Sequence, residues 1–142
     1  MQETLTREQV DFFNENGFLV IENFVSDQSI AKLRDRIKHI VEHDFQPSKD
    51  HAIFSTYKQD SKRDLEKYFE DSIDNISFFL EKSAKIDPET GALLQDKHKS
   101  INKIGHAIHE QDEVFREFSH QKRILQFVKS LSKFEKPIIL QR

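Results

Sequence analysis

The sequence predicts an α+β fold, and three observations carry that expectation. Two capped amphipathic segments open the chain, short apolar runs of strand length follow, and thirteen phenylalanines in 142 residues provide material for a core. Disordered chains are poor in aromatics because they cannot bury them. A chain of this length forms one domain and can bury roughly two-thirds of its unfolded surface.

The elements follow in order. Thr6 and Gln9 make a capping box ahead of Val10, Phe12 and Phe13, and Gly17 stands where a left-handed glycine ends a helix. Phe18-Leu19-Val20-Ile21 is a continuous apolar run and predicts a strand. Ser26 opens a second helix with Asp27 in its first turn, and Ile30, Leu33, Ile37, Ile40 and Val41 form its inner stripe. Residues 44–50, with Pro47, read as a loop, and residues 51–54 as a short strand. Leu65, Tyr68 and Phe69 suggest a helix over residues 61–70, its Lys/Glu mixture facing water. Residues 76–81 read as a buried strand around Phe78-Phe79-Leu80. Asp87-Pro88-Glu89-Thr90-Gly91 is turn chemistry, joining residues 82–86 to 92–94 as a hairpin. Residues 101–108 alternate weakly, with Gly105 permitting a bulge or a close backbone approach. Helices are expected over residues 112–118 and 120–132, the second with Ile124, Leu125, Val128 and Leu131 inward. Pro137 introduces Ile138-Ile139-Leu140, the first half of a strand, and the chain reads as truncated there.

Composition narrows the classes of function. Twenty-two basic and 25 acidic residues leave a net charge of −3 with the signs interspersed, which gives no footprint for nucleic acid or an anionic membrane. With no cysteine, disulfide scaffolds, cysteine zinc sites, iron–sulfur clusters and thiol catalysis are excluded. No apolar run approaches the roughly 18 residues of a membrane span, and the first six residues are no signal peptide. Three glycines are too few for a P-loop, a dinucleotide fingerprint or a nucleophile elbow. A cytoplasmic location is the expectation left.

Histidine is the one plentiful catalytic residue type. His39-Ile40-Val41-Glu42-His43 matches H-x-x-E-H, in which two imidazoles a turn apart hold zinc and the glutamate is the base. At about 100° per residue, however, His39 and His43 point away from the apolar stripe, alongside Arg36. A solvated face is the expectation, and a zinc hydrolase at His39, Glu42 and His43 the alternative. His106 and His109 would face opposite sides of a strand but share a side on a helical turn. Partly buried or capping imidazoles are expected there, ahead of a ligand pair. His51, His98 and His120 read as surface residues. Lys103, flanked by Ile101 and Ile104, either points inward to an anionic ligand such as a carboxylate or snorkels at a sheet edge. Spacing alone favours the edge.

Residues 12–24, Phe12-Phe13-Asn14-Glu15-Asn16-Gly17-Phe18-Leu19-Val20-Ile21-Glu22-Asn23-Phe24, resemble the amino-terminal signature of the phytanoyl-CoA dioxygenase family. Lys99-Ser100-Ile101-Asn102-Lys103-Ile104-Gly105-His106-Ala107-Ile108-His109 is similar to a second stretch of that family, as are Phe78-Phe79-Leu80-Glu81-Lys82 and Val114-Phe115. The resemblance runs along almost the whole chain. It implies a non-haem Fe(II), 2-oxoglutarate-dependent oxygenase on a double-stranded β-helix, a jelly roll of about eight strands. Such an enzyme hydroxylates a small-molecule substrate while decarboxylating 2-oxoglutarate. Iron would sit on two histidines and one carboxylate, the first pair spaced H-x-D or H-x-E. The seven histidines are followed at i+2 by Val41, Phe45, Ile53, Ser100, Ile108, Gln111 and Lys122, so none makes that pair.

By the same resemblance, residues 1–142 are the amino-terminal part of such a domain, its helices and first strands with an incomplete core, ending before the iron motif. Fe(II) and 2-oxoglutarate are the cofactors implied for the full-length protein, with no catalytic or metal residue in this chain. Lys103 matches the lysine that contacts 2-oxoglutarate, which shifts the balance toward its inward orientation. No iron-dependent turnover is expected of the chain alone. The competing class is a non-enzymatic helical module that presents its Phe-rich faces to a protein partner.

Overall fold

The computed structural model describes residues 4–47, 52–53, 63–131 and 136–139. Helix α1 spans Arg7–Asn16 and has the capping box in full: Thr6 accepts from the Gln9 N–H while the Gln9 side chain accepts from the Thr6 N–H. Gly17 ends it at φ +78°, where a side chain would be strained. Helix α2 spans Asp27–His39, with Ser26 accepting from the Ser29 N–H. It then widens into a π turn over Ile40–Asp44, closed by the Phe45 N–H on the Ile40 carbonyl. This wider turn keeps Ile40, Val41 and Phe45 all buried. Lys97 satisfies carbonyls at its end, donating to Glu42 O and Phe45 O.

Strand β1 (Ala52–Ile53) runs parallel to β2 (Ile76–Leu80), and β2 runs antiparallel to β3 (Ile101–His106), giving the order β1-β2-β3. Helix α3 (Arg63–Asp71) leads into β2 through a 3₁₀ turn at Ser72–Asp74. The turn at residues 87–91 is present, with Ile86 and Leu93 forming an antiparallel bridge. After β3 come α4 (Ile108–Gln111), α5 (Glu113–Ser119) and α6 (Lys122–Leu131). The core lies on one face of the sheet, where Phe78 and Leu80 meet Ile40, Phe45 and Ile108. Two ion pairs tie α2 to the α5 region: Arg36 to Asp112 and Lys32 to Glu117, both at 2.6 Å. The three described strands and these helices form a mixed α+β unit; a jelly roll needs about eight strands.

Three expectations need correction. Residues 18–21 form no strand: Phe18 is 58% and Val20 72% exposed, and among the described residues no strand lies beside them to complete a ladder. Ile138 and Ile139 likewise are not in a strand, and Ile138 is 78% exposed; Leu140 lies outside the described residues. In α6 the buried position is Phe127, while Leu125 faces out. Asn23 at φ +54° turns the chain so that Phe24 meets Phe127 edge-on, their centroids 4.9 Å apart. Arg123 caps that contact, its guanidinium carbon 4.5 Å from the Phe24 ring centroid and its Nη1 donating to Phe24 O.

Candidate functional site

The weak alternation of residues 101–108 has a structural cause. Phe79 pairs with Lys103, but Leu80 pairs with Ile101, so Asn102 is the extra residue of a β-bulge. The bulge shifts the side-chain phase by one. Ile101 and Ile104, three residues apart, both pack on the core cluster, which regular pleating forbids. Lys103 is left on the opposite face, across from Phe79. Asn102 itself turns out and donates to Glu81 Oε1 at 2.9 Å. The bulge, one of the two readings offered for Gly105, thus lies three residues earlier, and Gly105 itself begins the cis peptide to His106.

The face that carries Lys103 is not a bare edge. Phe79 is completely buried there, with Phe69 and Tyr68 of α3 at 4.8 and 5.5 Å between centroids. The Tyr68 hydroxyl donates to Phe78 O and accepts from Phe78 N–H, both at 2.9 Å, and so clasps α3 to β2. The Lys103 ammonium lies 6.0 Å from the Phe79 centroid, at the limit of a cation–π contact. It is also 2.8 Å from His106 Nε2. His106 is buried on the same side, past a cis Gly105–His106 peptide. Its Nδ1 lies 2.8 Å from Ser72 Oγ, and Ser72 donates to Phe69 O at 2.6 Å.

The other histidines sort into separate clusters. His106 and His109 do not act as a pair, because His109 turns to Glu110 (Nε2 to Oε1, 3.3 Å) and stacks with His120 at 6.1 Å. Both are buried, more deeply than the sequence suggested. His120 is half-exposed and its Nε2 is 3.5 Å from the same Glu110 oxygen. His39 and His43 are exposed, as the helical wheel requires, with rings 4.4 Å apart. Glu42 turns to His98 Nε2 at 3.4 Å. Arg36 is not on the solvated face with these two; it sits at the flank of the stripe and reaches Asp112. His51 lies outside the described residues.

Among the described residues, no group of three His, Cys, Asp or Glu side chains is placed to hold a metal ion. The described residues therefore offer no ligand set for an iron centre, and none is assigned to one. A carboxylate ligand is different: an ammonium held against an aromatic face is a suitable point charge for it. Sequence reasoning missed Ser72, Tyr68 and the part played by His106. Ser72 and His106 are 34 positions apart, and no periodicity links them. No helix among the described residues is long and apolar enough to cross a membrane.

Comparison with known proteins adds an independent finding. The family model described as phytanoyl-CoA dioxygenase (PhyH) matches residues 13–138. The chain is 39% identical over 138 residues to a phytanoyl-CoA dioxygenase of Arabidopsis thaliana, covering 97% of this chain and 46% of that protein. It is equally similar, 39% over 138 residues with the same coverage, to phytanoyl-CoA dioxygenase 1 of Oryza sativa subsp. japonica. Phytanoyl-CoA dioxygenase domain-containing protein 1 of Mus musculus is 36% identical over 139 residues, 96% of this chain and 47% of its own length. The chain thus spans about half the length of the curated relatives it matches, their amino-terminal half.

Proposed function

The chain belongs to the phytanoyl-CoA dioxygenase family, and from that premise we propose that it is the amino-terminal, cosubstrate-gripping part of a 2-oxoglutarate-dependent oxygenase. In such a reaction 2-oxoglutarate and O2 are consumed, succinate and CO2 leave, and one oxygen atom enters a C–H bond of a small-molecule substrate. The observation that carries the proposal is Lys103. Its charge is set against a buried aromatic face and bonded to His106, within a segment the family model covers. Its role is to pair with a carboxylate of 2-oxoglutarate. Iron would be held by residues other than those described.

Two measurements test this. Titrating 2-oxoglutarate at millimolar concentrations into isotope-labelled protein is expected to shift resonances at Lys103 and its neighbours, an effect lost in Lys103→Met. Absence of any localised shift would remove the assignment. Purified chain with Fe(II), ascorbate and 2-oxoglutarate is expected to release no succinate, because no H-x-D or H-x-E pair exists in it; stoichiometric succinate would overturn that part. A second reading, a non-enzymatic module for a protein partner, draws on the open apolar groove at Phe12, Phe18 and Val20. It predicts no carboxylate response at Lys103.

A further inference from the structure

The structure assigns His106 and Ser72 a positioning role: together they fix the Lys103 ammonium on the second face of the sheet before any ligand arrives. The inference rests on the proposed carboxylate-binding role of Lys103 for its purpose, but its geometry stands independently.

The direction of the chain follows from donor chemistry. An ammonium has three donors and no acceptor, so His106 Nε2, 2.8 Å away, must present its lone pair. A neutral imidazole with Nε2 unprotonated carries its hydrogen on Nδ1, which then donates to Ser72 Oγ at 2.8 Å. Ser72 has one hydrogen, and it goes to Phe69 O at 2.6 Å. Every link is thereby specified: Lys103 to His106, His106 to Ser72, Ser72 to the backbone of α3. The far end is rigid, because Ser72 is fully buried at the 3₁₀ turn directly after α3 and His106 is buried against the Phe69–Phe79 pair. Hydrogen bonds in such a buried run polarise and reinforce one another.

The functional consequence is entropic. A free lysine side chain has many rotamers, and binding an anion with it would forfeit much of that freedom. A lysine already tethered through its nitrogen has given up that freedom during folding, so less is lost on binding. Protonation of Nε2 would set an imidazolium N–H against the ammonium and break the tether. The active arrangement is therefore the neutral Nδ1–H tautomer, the less common one for a free imidazole.

The test is made on the 142-residue protein by ¹⁵N spectroscopy of the His106 ring and the Lys103 side chain. The expected result is a protonated Nδ1, an unprotonated Nε2, and an ammonium signal from Lys103 protected enough to be observed. Ser72→Ala is expected to release the tautomer toward Nε2–H and to lose the ammonium signal. His106→Gln keeps an acceptor near the Nε2 position and is expected to retain that signal, whereas His106→Leu abolishes it. Affinity for 2-oxoglutarate is expected to fall about three- to tenfold in Ser72→Ala and His106→Leu, the worth of one hydrogen bond, with partial rescue in His106→Gln.

An Nε2–H tautomer in the unmodified protein overturns the inference. So does an unaltered Lys103 signal in a folded Ser72→Ala protein. If the tautomer and the tethered ammonium are found but no 2-oxoglutarate binds, the positioning stands and the carboxylate reading fails.

Discussion

Asp112 shows how much a single side chain can carry. One carboxylate oxygen accepts the N–H groups of Val114 and Phe115 and so caps α5, while the other takes Arg36 Nε at 2.6 Å. The carboxylate is buried and the guanidinium only half so, which leaves the pair dependent on both bonds being made. Asp112→Ala removes the cap, worth about 1 kcal/mol, and a charge-assisted bond worth about 1.5–3 kcal/mol. A loss of about 3 kcal/mol in denaturant-measured stability is the expected outcome. Asp112→Asn, which preserves the cap, is expected to lose roughly half of that. The sequence shows Asp112 as the first residue of the helix expected over residues 112–118. Its real partner, Arg36, is 76 positions away, and long-range pairs of this kind leave no local signature.

Elements with their own stop and start signals were legible, and both ends of α1 and the start of α2 lie where capping chemistry places them. At Gly17 a Cβ would meet nothing within 4 Å, so the cost of substitution is purely that of the left-handed backbone. Gly17→Ala is expected to destabilise by about 1 kcal/mol, with Gly17→Asn milder, as thermal melts can establish. The turn at residues 87–91 makes a pH prediction. Asp87 accepts backbone N–H bonds from Thr90 and Glu89, which hold its carboxyl below the ordinary value of 3.8. A depressed carboxyl stabilises the fold above its unfolded value, and that contribution disappears as pH falls through the lower folded one. NMR titration is expected to give a midpoint under 3.8, with amide protection of Glu89 and Thr90 falling over the same acid range. Residues 18–21 misled because an apolar run specifies burial, not a partner, and a strand exists only where a neighbour completes its hydrogen bonds. In α6 the helix itself was legible but its rotation was not, since Phe24 selects Phe127 from outside the helix.

Across the described residues, the main core cluster lies on one face of a small sheet, a second buried layer around Phe79 lies on the other, and several large apolar side chains remain in water. Phe12, Phe18 and Val20 are exposed beside one open groove at α1. Contiguous apolar surface of this type drives association. Val20→Asp is therefore expected to raise the concentration at which the protein stays monomeric in sedimentation runs, with little change in melting temperature because Val20 makes few buried contacts. An unchanged sedimentation profile would show that this groove is not where the molecules meet. The α+β class was evident from the sequence because it depends on element types. The candidate site was only half evident: Lys103 stood out, whereas its surroundings come from α3 and the 3₁₀ turn at residues 72–74, which meet β3 only in the folded molecule.

The extra residue at Asn102 also bears on how the region can change by insertion or deletion. A pleated strand counts in twos, and the extra residue is what breaks the count between Ile101 and Lys103. Deleting Asn102 would make those two residues neighbours, which point to opposite faces of a regular strand, so their pairing with Leu80 and Phe79 would survive the loss. Losing a residue from the regular part of the strand is different, because it turns the side chains beyond the gap to the other face. Asn102 is thus a position where a single-residue gap keeps both the core and the charge in place.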